Sequence, residues 1–170
     1  MAAPPNDPFS DPTFVAGLRP IPAGPVGPGP RPPAADIVGV DPDNRPAEVL
    51  LASVKGPILL AFLHVRCDGC AQFWAGLGDG GATGLPSEVR PVVVTKGPRS
   101  VDVVEVAALA GGITAVPVVM SDHAWDDYRV SGYPFFVLVD SGARTVLGET
   151  VGFGWEDVGA MVRSSLTLPS

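Results

Sequence analysis

Clustered positive charge is missing from this chain. Its 11 Lys and Arg are scattered among 18 Asp and Glu, which leaves a formal net charge of −7 and a pI near 4.6. Nucleic acid and anionic membrane surfaces are gripped by concentrated cations, so neither is expected as a partner. Long apolar runs are missing too. The longest, residues 57–63, falls far short of the roughly 20 residues that carry a helix across a bilayer, so no transmembrane segment is expected. The opening Met1-Ala-Ala-Pro-Pro-Asn-Asp-Pro8 has neither the basic nor the apolar region of a secretory signal. As written, the chain reads as cytoplasmic; it reads as extracytoplasmic if it is a portion cut from a longer anchored protein. No Gly-rich phosphate loop directly follows a strand, and Gly78-Asp-Gly-Gly81 reads as a helix stop. Histidine and cysteine occur twice each. Tetrahedral zinc usually takes four ligands, so Cys67, Cys70 and His64 are too few for a site within the chain. Neither metal nor cofactor is expected.

Proline and glycine are plentiful, and proline is unevenly spread. Eleven of the 20 prolines precede Ala34. Pro28-Gly-Pro-Arg-Pro-Pro33 can be neither helix nor central strand. Residues 1–34 therefore read as a proline-rich extended arm, a linker or a segment lying along the surface, with a docking arm for a proline-recognising module as the alternative. Phe9, Phe14, Val15, Leu18 and Ile21 suggest that part of it packs on the domain. The remainder suits one domain, long enough to bury a core.

Within that domain, residues 35–40 read as a short edge strand and Asp41-Pro-Asp-Asn44 as a turn. Residues 45–54, with Val49, Leu50 and Val54, read as a short helix. Residues 57–65 form a continuous apolar run suited to a strand buried on both faces. Phe73, Trp74 and Leu77 then recur at helical spacing. Residues 89–95 read as a second buried strand, 101–110 as a helix, and 116–120 as a third strand. Ser121 and Asp122 can cap a brief helix. Residues 135–139 and 144–153 read as a hairpin turning at Asp140-Ser-Gly142, and 155–166 as a closing amphipathic helix. Strand–helix alternation implies parallel pairs joined by right-handed crossovers, with helices on both faces. The aromatics Phe73, Trp74, Trp125, Tyr128 and Trp155 read as core or rim.

Both cysteines fall in Cys67-Asp-Gly-Cys70, between the buried strand and the first helix of that series. Cys-x-x-Cys is too close to brace a fold and reads as redox chemistry in a reducing compartment. If Cys70 opens the helix, the Cys67 sulfur sits at or just before its first turn, where unpaired N–H groups favour a thiolate. A thiolate attacks disulfides, and a partner on the next turn can resolve the mixed disulfide. Arg66 beside Cys67 favours the thiolate and Asp68 opposes it. His64 faces either the site or the core.

Residues 58–62, then Cys67-Asp-Gly-Cys70, then Gly132-Tyr-Pro134-Phe-Phe-Val-Leu-Val-Asp140 together resemble the thioredoxin fold. The insertion at residues 116–129 resembles its TlpA-like branch of thiol–disulfide reductases and their peroxiredoxin relatives. The resemblance spans about residues 35–166. It implies a three-layer α/β/α sandwich around a central mixed sheet, over 35–170, with the proline-rich arm ahead of it. It implies Cys67 as nucleophile and Cys70 as the buried resolving thiol. It also implies a cis Pro134 opposite them, where the Tyr133 backbone can pair with an extended substrate; Pro117 is the competing candidate. In thioredoxin a buried carboxylate stands six positions before the first cysteine and a Trp directly precedes it; here those positions are Ala61 and Arg66. No Thr or Pro pattern of a peroxidatic cysteine surrounds Cys67. The expected function is therefore a thiol–disulfide oxidoreductase acting on a protein disulfide or dithiol, with an unidentified electron donor or acceptor. The alternative is a non-catalytic thioredoxin-fold protein-binding module.

Overall fold

The computed structural model describes residues 23–25, 29–78 and 83–168. Its organising strand is β4 (Pro57–Phe62), in which every residue after Pro57 is fully buried. Side chains alternate across a strand. Leu59 and Ala61 accordingly join one apolar cluster, and Ile58, Leu60 and Phe62 join another on the opposite face. That is why the run has no polar alternation.

Around β4 lie β1 (Ala23–Pro25), β2 (Ile37–Val40), β3 (Pro46–Val49), β5 (Arg90–Thr95), β6 (Val118–Met120), β7 (Phe135–Asp140) and β8 (Thr145–Val151). They form one mixed sheet in the order β1-β8-β7-β4-β5-β6-β2-β3. β4, β5 and β6 are parallel neighbours. β7 runs antiparallel to β4 and β8 antiparallel to β7.

Among the described residues four helices complete the layers: α1 (Asp68–Gly78), α2 (Val103–Ala110), α3 (Asp122–Asp127) and α4 (Trp155–Thr167). Phe73, Trp74 and Leu77 of α1, Val106 of α2, and Val158, Met161 and Val162 of α4 pack in the cluster that holds Leu59 and Ala61. Ala124 and Trp125 of α3 pack on the other face with Phe62 and Leu51. α1 and α4 approach closely because residue 76 is glycine: a Cβ there would collide with the Trp155 indole nitrogen. The Ser121 hydroxyl accepts from the Ala124 N–H at 3.2 Å and caps α3 as the sequence suggested.

The expected helix over residues 45–54 is a strand followed by a turn. Pro46–Val49 pairs antiparallel with β2, from Ile37↔Val49 to Val40↔Pro46, and only Leu51–Ser53 is helical, as a single 3-10 turn. The Asp41 carboxylate accepts from the Asp43 and Arg45 N–H groups, each at 2.9 Å, and Asn44 takes the left-handed φ of 61°. That turn reverses the chain. Exposure then alternates along Pro46–Val49, the period of a strand, and proline is tolerated because β3 is at the sheet edge. β2 is consequently an interior strand, between β6 and β3.

The described part of the proline-rich arm lies along β8. Ala23–Pro25 pairs with it antiparallel, from Ala23↔Thr150 to Pro25↔Gly148. Further on, the Val146 N–H donates to the Pro32 carbonyl at 2.9 Å and the Ala34 N–H to the Arg144 carbonyl at 2.8 Å. Phe9, Phe14, Val15, Leu18 and Ile21 lie outside the described residues, as do 79–82 after the end of α1.

Candidate functional site

The carboxyl end of β4 delivers the chain into α1, and both cysteines sit at that junction. α1 begins at Asp68, earlier than a helix opened by Cys70 would, so Cys67 stands just outside its first turn. The Cys70 N–H donates to the Cys67 carbonyl at 3.0 Å and to the Cys67 sulfur at 3.2 Å. A helix's first N–H groups have no partner within it, and here one of them points at sulfur.

The two sulfurs differ in their surroundings. Cys67 is half-buried, whereas Cys70 is fully buried. Burial, and next the hydrogen bond with Cys67, push the Cys70 thiol up to about 12; the His64 N–H, which donates to the Cys70 sulfur at 3.5 Å, pulls the other way. Cys70 therefore stays a neutral thiol at physiological pH. Iodoacetamide at pH 8 is expected to modify reduced native protein at Cys67 alone, with Cys70 labelled only after denaturation. Peptide mass spectrometry reads this directly, and equal labelling of the two would contradict the assigned burial.

The Tyr133–Pro134 peptide bond is cis. A Cβ built on Gly69 would lie 3.6 Å from the Pro134 ring and 3.9 Å from the Cys67 sulfur. Pro134 and Cys67 thus flank one point above the Cys-Asp-Gly-Cys turn, on the same side of the molecule. The Pro134 carbonyl accepts from the Gly152 N–H at 3.2 Å. Among the described residues, the Tyr133 backbone N–H and C=O bond to no other group. The Tyr133 side chain is 44% exposed. Pro117, the competing candidate, is not cis.

The three residues flagged for tuning have separate placements. Asp68 is exposed in the first turn of α1. Arg66 is exposed as well, and its guanidinium pairs with Glu105 of α2, with Nη2 3.0 Å from Oε1 and Nε 3.1 Å from both carboxylate oxygens. Its charge is thereby offset by an acid that sequence spacing did not suggest. His64 is half-buried. Its ring stacks on Tyr133, with centroids 4.7 Å apart and planes 15° apart, and its Nδ1 accepts from the Arg66 N–H at 3.1 Å. Burial first, then Arg66 and Lys96, lower the His64 pKa against the opposing effect of Glu105.

Other groups gather at this end of the sheet: Trp125, read from the sequence as core or rim, is buried, whereas Lys96 and Phe153 were not singled out. Trp125 meets Tyr133 edge-on at 5.9 Å, and Lys96 holds its ammonium 4.9 Å above the Trp125 ring. Phe153 is 79% exposed and adjoins Gly152, the residue bonded to Pro134; its carbonyl accepts from the Gln72 side chain of α1 at 3.0 Å. The only sequence signal for Phe153 was a large apolar residue next to glycine at a strand's end. A cleft of about 300 Å³, lined in part by His64, Arg66, Asp102 and Glu105, opens beside the Cys67 loop.

No protein-family model matches the chain, and no curated protein matches it in sequence. Solved structures do match in shape. A thiol:disulfide interchange protein of the thioredoxin family from Chlorobium tepidum TLS is 17% identical, over 82% of this chain and 99% of its own, with a TM-score of 0.59. A secreted Mycobacterium tuberculosis disulfide oxidoreductase homologous to E. coli DsbE is 17% identical, over 75% of this chain and 94% of its own, at 0.55. Peroxidoxin BcpB from Mycobacterium tuberculosis is 15% identical, over 82% and 97%, at 0.60. Similarity at this level establishes architecture, and with the mixed sheet, its flanking helices and the cis-proline strand it supports one statement: this chain is a thioredoxin-fold protein.

Proposed function

We propose that the chain is a thiol–disulfide oxidoreductase of the TlpA-like branch, working through Cys67 and Cys70. One observation carries the reading: a half-buried Cys67 at the mouth of α1, beside the buried Cys70 thiol and near a cis-proline whose preceding residue, among the described residues, bonds no other group through its backbone. Cys67, as thiolate, attacks one sulfur of a substrate disulfide. The new S–S bond forms as the old one breaks, and the departing sulfur leaves as a thiolate that takes up a proton. Cys70 then gives up its proton and attacks the Cys67 sulfur. The substrate leaves as a dithiol, two electrons poorer protein remains as the Cys67–Cys70 disulfide, and an external dithiol restores it. Run backwards, the same steps oxidise a substrate; the partner's potential sets the direction. The buried Cys70 thiol suits the resolving role, since it is withheld from outside disulfides yet adjoins Cys67.

Tyr133 supports the substrate's place. An extended polypeptide laid across it gains strand-like hydrogen bonds, and Phe153 offers an apolar contact on the flank. Fold resemblance to oxidoreductases is analogy, so the site carries the argument. Among the described residues no helix is long and apolar enough to cross a membrane.

The test is insulin reduction with dithiothreitol as donor, together with oxidation of a reduced, unfolded protein by the disulfide form. Wild type is expected to accelerate at least one direction well above the uncatalysed rate, and Cys67→Ser to return it to that rate. Wild type that accelerates neither would overturn the proposal and favour the non-catalytic binding module.

A further inference from the structure

We infer that His64 is a positioning residue, which in its neutral form locks the Cys67 loop to Tyr133 and so sets the nucleophile against the incoming polypeptide. The inference rests on the oxidoreductase reading and adds to it a residue that aligns the substrate.

His64 contacts three parts of the candidate site. Its backbone N–H donates to the Cys70 sulfur. Its Nδ1 accepts from the Arg66 N–H, in the residue directly before Cys67. Its ring face lies on the Tyr133 ring, which Trp125 also meets edge-on. Tyr133 is held as part of an aromatic stack, not as an independent loop side chain. Removing the imidazole would release Tyr133 on one face and the Arg66–Cys67 segment at the same time.

The protonation state follows from the hydrogen bond. Nδ1 can accept only if its lone pair is free, which assigns the proton to Nε2 in the neutral ring. In the imidazolium both nitrogens donate, so Nδ1–H would meet the Arg66 N–H donor head-on and the tie would break. The charged groups that act on the ring are Arg66 on its own loop, Glu105 from α2 and Lys96 from the end of β5; Arg99 and Asp102 line the same cleft, the Cys70 thiol adjoins the His64 backbone, and the Tyr133 phenol stacks on the ring. Partial burial and the two cations outweigh Glu105 and favour the neutral ring. The tie is therefore intact at neutral pH and is lost on acidification through a pKa below the ordinary histidine value.

The experiment compares a peptide disulfide with a small aromatic disulfide that has no backbone to align. Three variants divide the two contacts: His64→Ala removes both, His64→Phe keeps a stacking ring, and His64→Asn keeps an acceptor in the place of Nδ1. Thermal unfolding checks that each is folded. For His64→Ala, KM for the peptide disulfide is expected to rise roughly tenfold, as loss of an aromatic contact plus a hydrogen bond implies, with kcat and the small-disulfide rate within about threefold of wild type. His64→Phe and His64→Asn should each fall between. The wild-type peptide KM should climb as pH falls from 7 towards 5, while that of His64→Asn stays flat, because the amide does not titrate. Unchanged peptide KM in all three variants, an equal loss on both substrates, or the same acid rise in His64→Asn would overturn the inference while leaving the oxidoreductase reading in place. Failure of wild type to turn over either disulfide would remove that reading and the inference with it.

Discussion

Cys70→Ser is expected to stop the proposed cycle halfway and leave the protein covalently joined to its substrate. In the native arrangement the mixed disulfide on Cys67 is relieved by the neighbouring thiol of Cys70. Serine cannot supply that sulfur, so Cys67 still attacks and the adduct persists until an outside thiol arrives. Non-reducing electrophoresis with mass spectrometry should show a dithiothreitol-sensitive adduct at Cys67 in Cys70→Ser. Cys67→Ser should show none, because its remaining thiol is fully buried, and burial is the largest cause that raises the Cys70 thiol above its ordinary range. Steady-state turnover of both variants should drop by roughly a thousandfold or more, as for loss of a nucleophile that acts as one unit with its partner. Adducts forming equally well in Cys67→Ser would reverse the assignment of the two sulfurs. Adducts in neither would end the redox reading. Serine at position 70 can still accept from the His64 N–H, so the fold should tolerate the change.

Phe136→Ala is expected to have the largest effect on stability. Phe136 is fully buried in β7, opposite Ala61 of β4. Its ring lies 4.8 Å from Phe73 of α1 and 5.8 Å from Trp155 of α4, so it joins the central strand pair to two helices. Truncation leaves a cavity that close-packed rings and a sheet cannot collapse into. The expected loss is about 3–5 kcal/mol, a large part of the 5–15 kcal/mol that holds a typical domain together. Urea unfolding should show a lowered midpoint with an unchanged slope. Val104→Ala serves as the comparison: Val104 is 75% exposed on α2, and its loss should stay within about 0.5 kcal/mol. A Phe136→Ala loss no larger than that of Val104→Ala would mean the cluster is not packed as described.

How far these residues were legible from the chain depended on the distance over which the deciding force acts. The β4 run, the Ser121 cap and the Asp140 turn were read correctly because each is governed by neighbours within a few positions. Residues 45–54 were misread for the complementary reason. Their three apolar side chains fit a helix as well as anything else, and the pairing of β3 with β2 overrode that weak local preference. Arg66 was read beside Cys67 because the two adjoin in sequence, and nothing there pointed to Glu105 as its partner. His64 was left facing either site or core, since its stack on Tyr133 joins positions far apart in the chain.

By itself the sequence determined that this protein has two sulfurs three positions apart, a buried strand leading into them, a Gly-x-Pro strand start well downstream, and alternating strands and helices. Spacing and side-chain period are local properties, and they survive without knowledge of the fold. The resemblance to the thioredoxin fold already implied an enclosed Cys70 and a Pro134 opposite the cysteines; only the tertiary structure decided that Glu105 takes up the charge of Arg66 and that His64 bridges the two loops of the site. Burial, ion pairing and ring stacking are set by what packing brings alongside a residue, and that partner is seldom its neighbour in the chain.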